Sequence, residues 1–238
     1  MTAGALRRWL SARKRDLHIT LVDRGYGPVR PGGAEGVAAL GHRVYVGRGW
    51  DAMGALQFRF LRERGLRPED VLCDIGCGSL RAGRHLIPYL DRGRYLGLDA
   101  VRELLAAGIE REIDPAVLAA KAPEFVISER FEFERFSRVA TVALAVSLFT
   151  HLTGDDIVSC LTRLARWTGG ACTCFATFFE ASRPVRNYRA SHPHLGFHYT
   201  RGQMAEFGAR AGWSSEYVGE WGDFLGRQMM MRYGPGGP

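Results

Sequence analysis

The segment Asp74-Ile75-Gly76-Cys77-Gly78-Ser79 carries the strongest chemical signal in the chain. It sits where a short apolar run, Val71 to Ile75, gives way to residues with helical spacing. Gly76 and Gly78 let the backbone approach a ligand closely and take left-handed dihedrals. The helix N-terminus beyond them favours a negative group such as a carboxylate. Asp99 ends the next apolar run, Tyr95 to Leu98, 21 residues after Gly78. An acid at that place accepts both hydroxyls of a ribose. Two further residues have proton chemistry. His151 follows the apolar run Thr141 to Ser147 and titrates near neutrality, so it reads as a general base or as a brace for its loop. Glu180 ends the run Ala171 to Phe178, and reads as an orienting carboxylate for the same crevice or as a solvated loop residue.

These residues need a framework that brings strand ends together. Seven short runs read as strands: Val71–Ile75, Tyr95–Leu98, Phe125–Ser128, Thr141–Ser147, Ala171–Phe178, Glu216–Trp221 and Arg227–Tyr233. Helical periodicity separates the first five, at Leu80 to Leu90, Val101 to Ile113 and Ile157 to Trp167, and a capping box at Thr200 and Gln203 opens another helix. Asp51 reads as the cap of a helix that Gly65 stops, and Thr153 or Asp155 as the start of the one that Gly169 and Gly170 end. Strands alternating with helices imply an α/β fold with a mostly parallel sheet, and the last two strands imply an antiparallel hairpin. Such sheets bind ligands at the carboxyl ends of their strands. Ahead of this domain, residues 1–49 read as a basic helix over Thr2 to Leu17 and a Gly/Pro-rich irregular arm, with a short strand at Arg43 to Val46; residues 50–238 read as the α/β domain that carries the site.

Three cofactors use a glycine-rich turn of this kind. A Walker loop would need Gly-Lys-Ser/Thr, which is absent. A nicotinamide site would read G-x-G-x-x-G, but Arg81 stands at the third glycine. The remaining pattern, acid-x-Gly-x-Gly followed by a strand-end acid, resembles the S-adenosylmethionine fingerprint. From Trp50 to about Arg232 the chain resembles bacterial class I methyltransferases with the segments W-x-x-x-G-x-x-Q (Trp50 to Gln57), D-x-G-C-G-S-L-R (Asp74 to Arg81), S-x-F-T-H-L (Ser147 to Leu152) and T-F-F-E (Thr177 to Glu180). The resemblance implies a Rossmann-like sheet in which Asp74, Gly76 and Gly78 hold the methionyl end and Asp99 the ribose. It implies the adenine beside Glu129-Arg130-Phe131, with Phe131 on its face and Glu129 accepting from its amine, and Trp50 and Gln57 closing the site. Ser79, Arg81 and Ser147 stand in the same matched segments. Arg81 reads either as a contact of the cofactor carboxylate or as a solvated arginine. One departure is Ala140-Thr141, where such enzymes often carry Phe-Asp.

His192, His194 and His198 crowd one loop at H-x-H-x-x-x-H spacing. Without a neighbouring carboxylate or cysteine this argues against a metal, and His198 or Tyr199 is read instead as a substrate contact. The five cysteines lie mostly in apolar runs and read as reduced thiols of a cytoplasmic protein. Arg7 and Arg8 look like the start of an export signal, but Arg13, Lys14, Arg15 and Asp16 follow where an apolar stretch belongs. No run of about 18 apolar residues is present, so no membrane span is expected. The net charge of +7 is carried almost wholly by arginine. It permits an acidic or nucleic-acid partner, yet no nucleic-acid module and no Asn-Pro-Pro-Tyr motif accompanies it. The expected activity is methylation of an oxygen or nitrogen of a small-molecule acceptor, a specialised metabolite or sugar. The alternatives are an RNA or protein methyltransferase and a non-catalytic S-adenosylmethionine-binding regulator.

Overall fold

The computed structural model describes residues 3–47, 49–221 and 228–235. Among the described residues there are eight strands: β1 (Leu72–Ile75), β2 (Tyr95–Asp99), β3 (Glu124–Ile127), β4 (Val142–Ala145), β5 (Thr173–Glu180), β6 (His198–Tyr199), β7 (Trp213–Trp221) and β8 (Gln228–Pro235). The helices are α1 (Ala3–Asp23), α2 (Gly33–Leu40), α3 (His42–Tyr45), α4 (Trp50–Glu63), α5 (Gly83–Tyr89), α6 (Arg102–Glu112), α7 (Pro115–Lys121), α8 (Gly154–Thr168) and α9 (Arg201–Arg210). The strands join in the order β3-β2-β1-β4-β5-β8-β7, with β6 beside the end of β5. β1 to β5 run parallel, and β8 is antiparallel to both β5 and β7. This is the expected mostly parallel α/β sheet with its antiparallel hairpin.

Period-2 alternation explains why the sheet is covered on both faces. Along β1, β4 and β5, Cys73, Ile75, Ala143, Ala145, Cys174, Ala176 and Phe178 point into one core with Ile157, Leu161, Leu164 and Met204 of α8 and α9. Leu72, Leu144 and Phe175 point into the other, with Met53, Leu61, Leu86 and Leu105 of α4, α5 and α6. The five cysteines are free thiols buried in these cores. Helix ends follow local chemistry: Thr153 caps α8 by accepting from the Asp156 N–H, Gly169 ends it at φ +60°, and Thr200 and Gln203 form a full capping box on α9. No helix among the described residues is long and apolar enough to cross a membrane.

The strand order reverses between β1 and β4: the chain moves outward through β2 and β3, then returns to β4 on the other side of β1. The carboxyl ends of these two strands therefore part and leave a crevice. Packing beneath it is tight. A Cβ on Gly108 of α6 would lie 2.5 Å from the carbonyl carbon of Ser79, and one on Gly54 of α4 would lie 2.4 Å from the Arg81 oxygen. Two helices are thus seated against the backbone of the turn after β1.

Several expected elements differ. The arm before Trp50 is not irregular, and Arg43 to Val46 is not a strand. α2 and α3 form there because Tyr45 packs inward, edge-on to His194 at 4.8 Å. α1 continues beyond Leu17 because Ile19 is fully buried and His18 bonds the Tyr188 hydroxyl at 2.9 Å; Thr2 lies outside the described residues. The helix expected from Leu80 begins at Gly83, since Leu80 takes a left-handed φ of +63°. Gly49, not Asp51, caps α4. α7 and β6 have no counterpart in the sequence reading. The last strand runs from Gln228; its expected start, Arg227, lies outside the described residues.

Gly108→Ala should lower stability by about 1–3 kcal/mol, because the new methyl meets backbone that cannot swing aside. Chemical denaturation measures this. An unchanged midpoint would mean that α6 has room to retreat from the turn.

Candidate functional site

A cavity of about 730 Å³ occupies the crevice at the carboxyl ends of β1, β2, β3 and β4. Its floor is the turn after β1. The N–H groups of Gly76 and Cys77 both bond the Leu98 carbonyl, at 2.7 and 3.1 Å, which bends the chain sharply out of the sheet. Gly76 and Gly78 sit at φ +72° and +57°, where a side chain would be strained. Three larger residues at this edge, Leu80, Phe131 and Ser147, also have φ near +60°, so backbone strain is concentrated around the cavity.

Asp99 fixes the turn. Its Oδ2 accepts from the Gly78 N–H at 2.8 Å and its Oδ1 from the Val101 N–H at 2.8 Å. A carboxylate has about four acceptor positions, so acceptor capacity remains, and Asp99 lines the cavity. Burial raises its pKa, and the backbone N–H bonds oppose that rise. Asp74 accepts from the Tyr95 hydroxyl at 2.7 Å. It is buried, which raises its pKa to about 6 against the opposing pull of Tyr95 and Arg81. Arg81 is itself buried, its pKa lowered to about 10, and it donates to the Val46 carbonyl at 3.3 Å. Gln57 reaches the same wall from α4, and its buried Oε1 has no hydrogen-bond partner. Such an atom costs free energy unless a ligand donates to it. Asp74, Arg81 and Gln57 thus form a half-satisfied polar wall.

A second stretch of wall comes from after β4 and from the N-terminal segment, where Val46 meets the turn at Gly78. Ser147, Leu148, His151 and Leu152 line it, together with Ser191, His192, Pro193, Gly33, Ala34 and Tyr45. The His151 Nδ1–H donates to the Leu195 carbonyl at 2.8 Å, and burial lowers its pKa. Ser147 is held by the Thr177 hydroxyl and by buried Gln228.

No family model matches the sequence. Among solved structures, the chain superposes on magnesium protoporphyrin IX methyltransferase from Synechocystis PCC 6803 with bound S-adenosylmethionine. The TM-score is 0.61 at 15% identity, over 92% of this chain and 97% of that one. The fold is a methyltransferase fold. DesVI of Streptomyces venezuelae matches with a TM-score of 0.59 at 16% identity, over 83% of this chain and 98% of that one. CalO1, a methyltransferase in calicheamicin biosynthesis with S-adenosylhomocysteine bound, gives 0.55 at 16% identity, over 77% of this chain and 54% of that one. At such identities the likeness is one of fold.

Within this methyltransferase fold, Gln57, Asp74, Gly76, Gly78, Arg81, Asp99, Glu129, Phe131, Ser147 and His151 all line one cavity. Five other expected residues do not. Trp50 packs edge-on to His42 and under the Arg43 guanidinium, where it secures α3 to α4. The Ser79 hydroxyl is turned away to the His42 carbonyl at 3.2 Å. Glu180 is claimed by Arg201 and by the Tyr217 hydroxyl, because β6 pairs with the end of β5 and leads into α9, while β7 lies just beyond β8. It therefore does not share a pocket with His151. His198 stacks on Phe179 and contacts Arg15, while the Tyr199 hydroxyl donates to the Leu152 carbonyl at 2.7 Å. Both brace the loop instead of facing the cavity. Sequence reasoning missed Tyr45, Gly33, Ala34 and His192. Only the histidine-rich spacing carried a signal, and it did not say which ring turns inward.

The Asp74 carboxyl binds its proton more tightly in the fold than at its ordinary value of 3.8. Its favourable contribution is complete below about pH 4 and lost as pH rises through about 6. Asp74→Asn should therefore stabilise the ligand-free protein by on the order of 1–3 kcal/mol above pH 7, and by almost nothing below pH 4. Thermal melts across this range are the check. A stabilisation independent of pH would show that Asp74 ionises normally.

Proposed function

We propose that the protein is an S-adenosylmethionine-dependent methyltransferase acting on an oxygen or nitrogen of a small-molecule acceptor. The observation that carries this is the unpartnered Gln57 Oε1 beside Asp74 and Arg81, next to a left-handed glycine turn tied to Asp99. The donor set fits the cofactor. Asp74 and Gln57 supply acceptors for an ammonium, and Arg81 supplies a cation for a carboxylate. The free lone pairs of Asp99 suit ribose hydroxyls. Glu129 and Phe131 suit an adenine amine and its face. S-adenosylmethionine bound there supplies a methyl carbon already activated on a sulfonium. The protein is left to position the acceptor and remove its proton, and His151, kept neutral by burial, is the group for that second task.

A small acceptor is favoured because segments 33–46 and 191–193 complete the cavity wall and bound the space beside it. Two of the similar folds also carry small-molecule acceptors or pathways in their names, a magnesium porphyrin and calicheamicin biosynthesis.

Calorimetric titration should show S-adenosylmethionine binding and no comparable binding of NAD. Asp99→Ala should weaken that affinity on the order of tenfold to a hundredfold, since hydrogen bonds to a charged group contribute roughly 1.5–3 kcal/mol. It should also cost stability, because the Gly78 and Val101 N–H groups lose their acceptor. Affinity in the wild type should fall as pH drops below about 6, where Asp74 takes up its proton. NAD binding as tightly as S-adenosylmethionine would sink this reading.

A further inference from the structure

Two histidines line the cavity beyond β4, and their hydrogen bonds fix opposite tautomers. The Leu195 carbonyl can only accept, so His151 carries its proton on Nδ1 and keeps a lone pair on Nε2. His192 is reversed. Its Nδ1 accepts from the His194 backbone N–H at 3.2 Å, so its proton is on Nε2. In each ring the nitrogen engaged by the protein is Nδ1, which leaves Nε2 for a ligand. One Nε2 is an acceptor and the other a donor, and both rings line the same cavity.

The positions are rigid. The His192 N–H bonds the His151 carbonyl at 3.1 Å, and the Phe197 N–H bonds the Thr150 carbonyl at 2.9 Å, so the loop is laced to the turn after β4. Ser191 is held by the Thr153 N–H and by Asp156. Packing and second contacts of this kind keep a site's geometry fixed before a ligand arrives.

The surrounding charge is one-sided. Among the described residues lining the cavity, Asp74, Arg81, Asp99, Glu103 and Glu129 all lie in or shortly after β1, β2 or β3. On the other wall the ionisable groups are His151, His192 and Tyr45, amid Ala34, Leu148, Leu152 and Pro193. Burial holds both imidazoles toward their neutral forms and Tyr45 toward its protonated form. That wall has no fixed charge to pair with a carboxylate or an ammonium, and burying such an ion unpaired is costly.

We propose that His192 is the specificity-determining partner of His151, and that together they select a neutral hydroxyl as the methyl acceptor. The hydroxyl donates to His151 Nε2 and accepts from His192 Nε2–H, which leaves a lone pair on its oxygen for the methyl carbon. As the oxygen–carbon bond forms, the carbon–sulfur bond breaks with its electron pair left on sulfur. The hydroxyl proton passes to His151 Nε2. This rests on the methyltransferase reading for the transfer itself, but the hydroxyl-binding pair stands on the geometry alone.

The test separates the two. Nitrogen-15 spectra of histidine-labelled, ligand-free protein should show the Nδ1–H tautomer at His151 and the Nε2–H tautomer at His192. The same tautomer at both would overturn the proposal whether or not S-adenosylmethionine binds. Phenol, benzoate and benzylamine are then titrated into protein loaded with S-adenosylhomocysteine, or into free protein if that does not bind. Phenol should bind best and shift both histidine signals. His192→Phe should weaken phenol roughly tenfold, as for one lost hydrogen bond, while His192→Gln, which keeps an N–H donor, should restore most of it. Preference for benzoate or benzylamine, no detectable phenol binding, or equal phenol affinity in all three proteins would each overturn the proposal. If calorimetry shows no S-adenosylmethionine binding but the tautomers and phenol results hold, the transfer reading fails and the hydroxyl site remains.

Discussion

The carboxylate of Asp99 is the tie on which the site is built. It accepts from Gly78 in the turn after β1 and from Val101 at the entrance to α6. One side chain thereby fixes the ends of two adjacent parallel strands relative to each other. Two charge-assisted bonds to backbone cost little reorganisation and are stronger than neutral ones. The turn they fix is held from behind by α4 and α6, which lack side chains at Gly54 and Gly108 where contact is closest. Cavity shape is therefore set by backbone against backbone, the least compliant contact a protein has.

The buried charges near this tie are poised, not neutralised. Asp74 and Arg81 both shift toward their neutral forms, because burial outweighs their mutual attraction. A ligand bearing both an ammonium and a carboxylate would relieve both, which links the electrostatics of the empty protein to the chemistry proposed for it. The strained φ angles at Leu80, Phe131 and Ser147 belong to the same design. Phe131 and Ser147 line the cavity after β3 and β4, Leu80 is packed beneath the turn after β1, and the surrounding packing holds the strain.

The sheet was legible because its strands are short and apolar and most are separated by helices with clear apolar periodicity. Asp74, Gly76, Gly78 and Asp99 were legible because the glycine turn and a strand-end acid have a fixed sequence offset. What sequence could not show was direction at the strand ends. Glu180 ends one central strand and His151 follows another, yet β6, α9 and β7 supply partners to the first and not to the second. Those neighbours come from residues 198–221, so no local pattern reveals them. Likewise Tyr45 reaches the cavity through helices that a Gly/Pro-rich segment does not advertise, with Gly33 donating to its hydroxyl at 2.9 Å. Among the three loop histidines, hydrogen bonds to backbone decide which ring turns inward, and spacing cannot report those.

The two-residue strand β6 has a consequence for how such a pocket can change. It pairs with the end of β5, Phe179 opposite His198 and Glu180 opposite Tyr199, so segment 181–197 leaves the sheet and returns to the same place. The ends of that excursion are clamped together by the β5–β6 pairing, and Asn187 within it adds two bonds to the His198 backbone. Closing a longer flexible loop between fixed ends costs only about 0.6 kcal/mol for each doubling of length. Insertions, deletions or wholesale exchange of residues there would leave the turn after β1 untouched while redrawing the wall that carries His192. Related chains can in this way differ in that wall while sharing the same turn and strand ends.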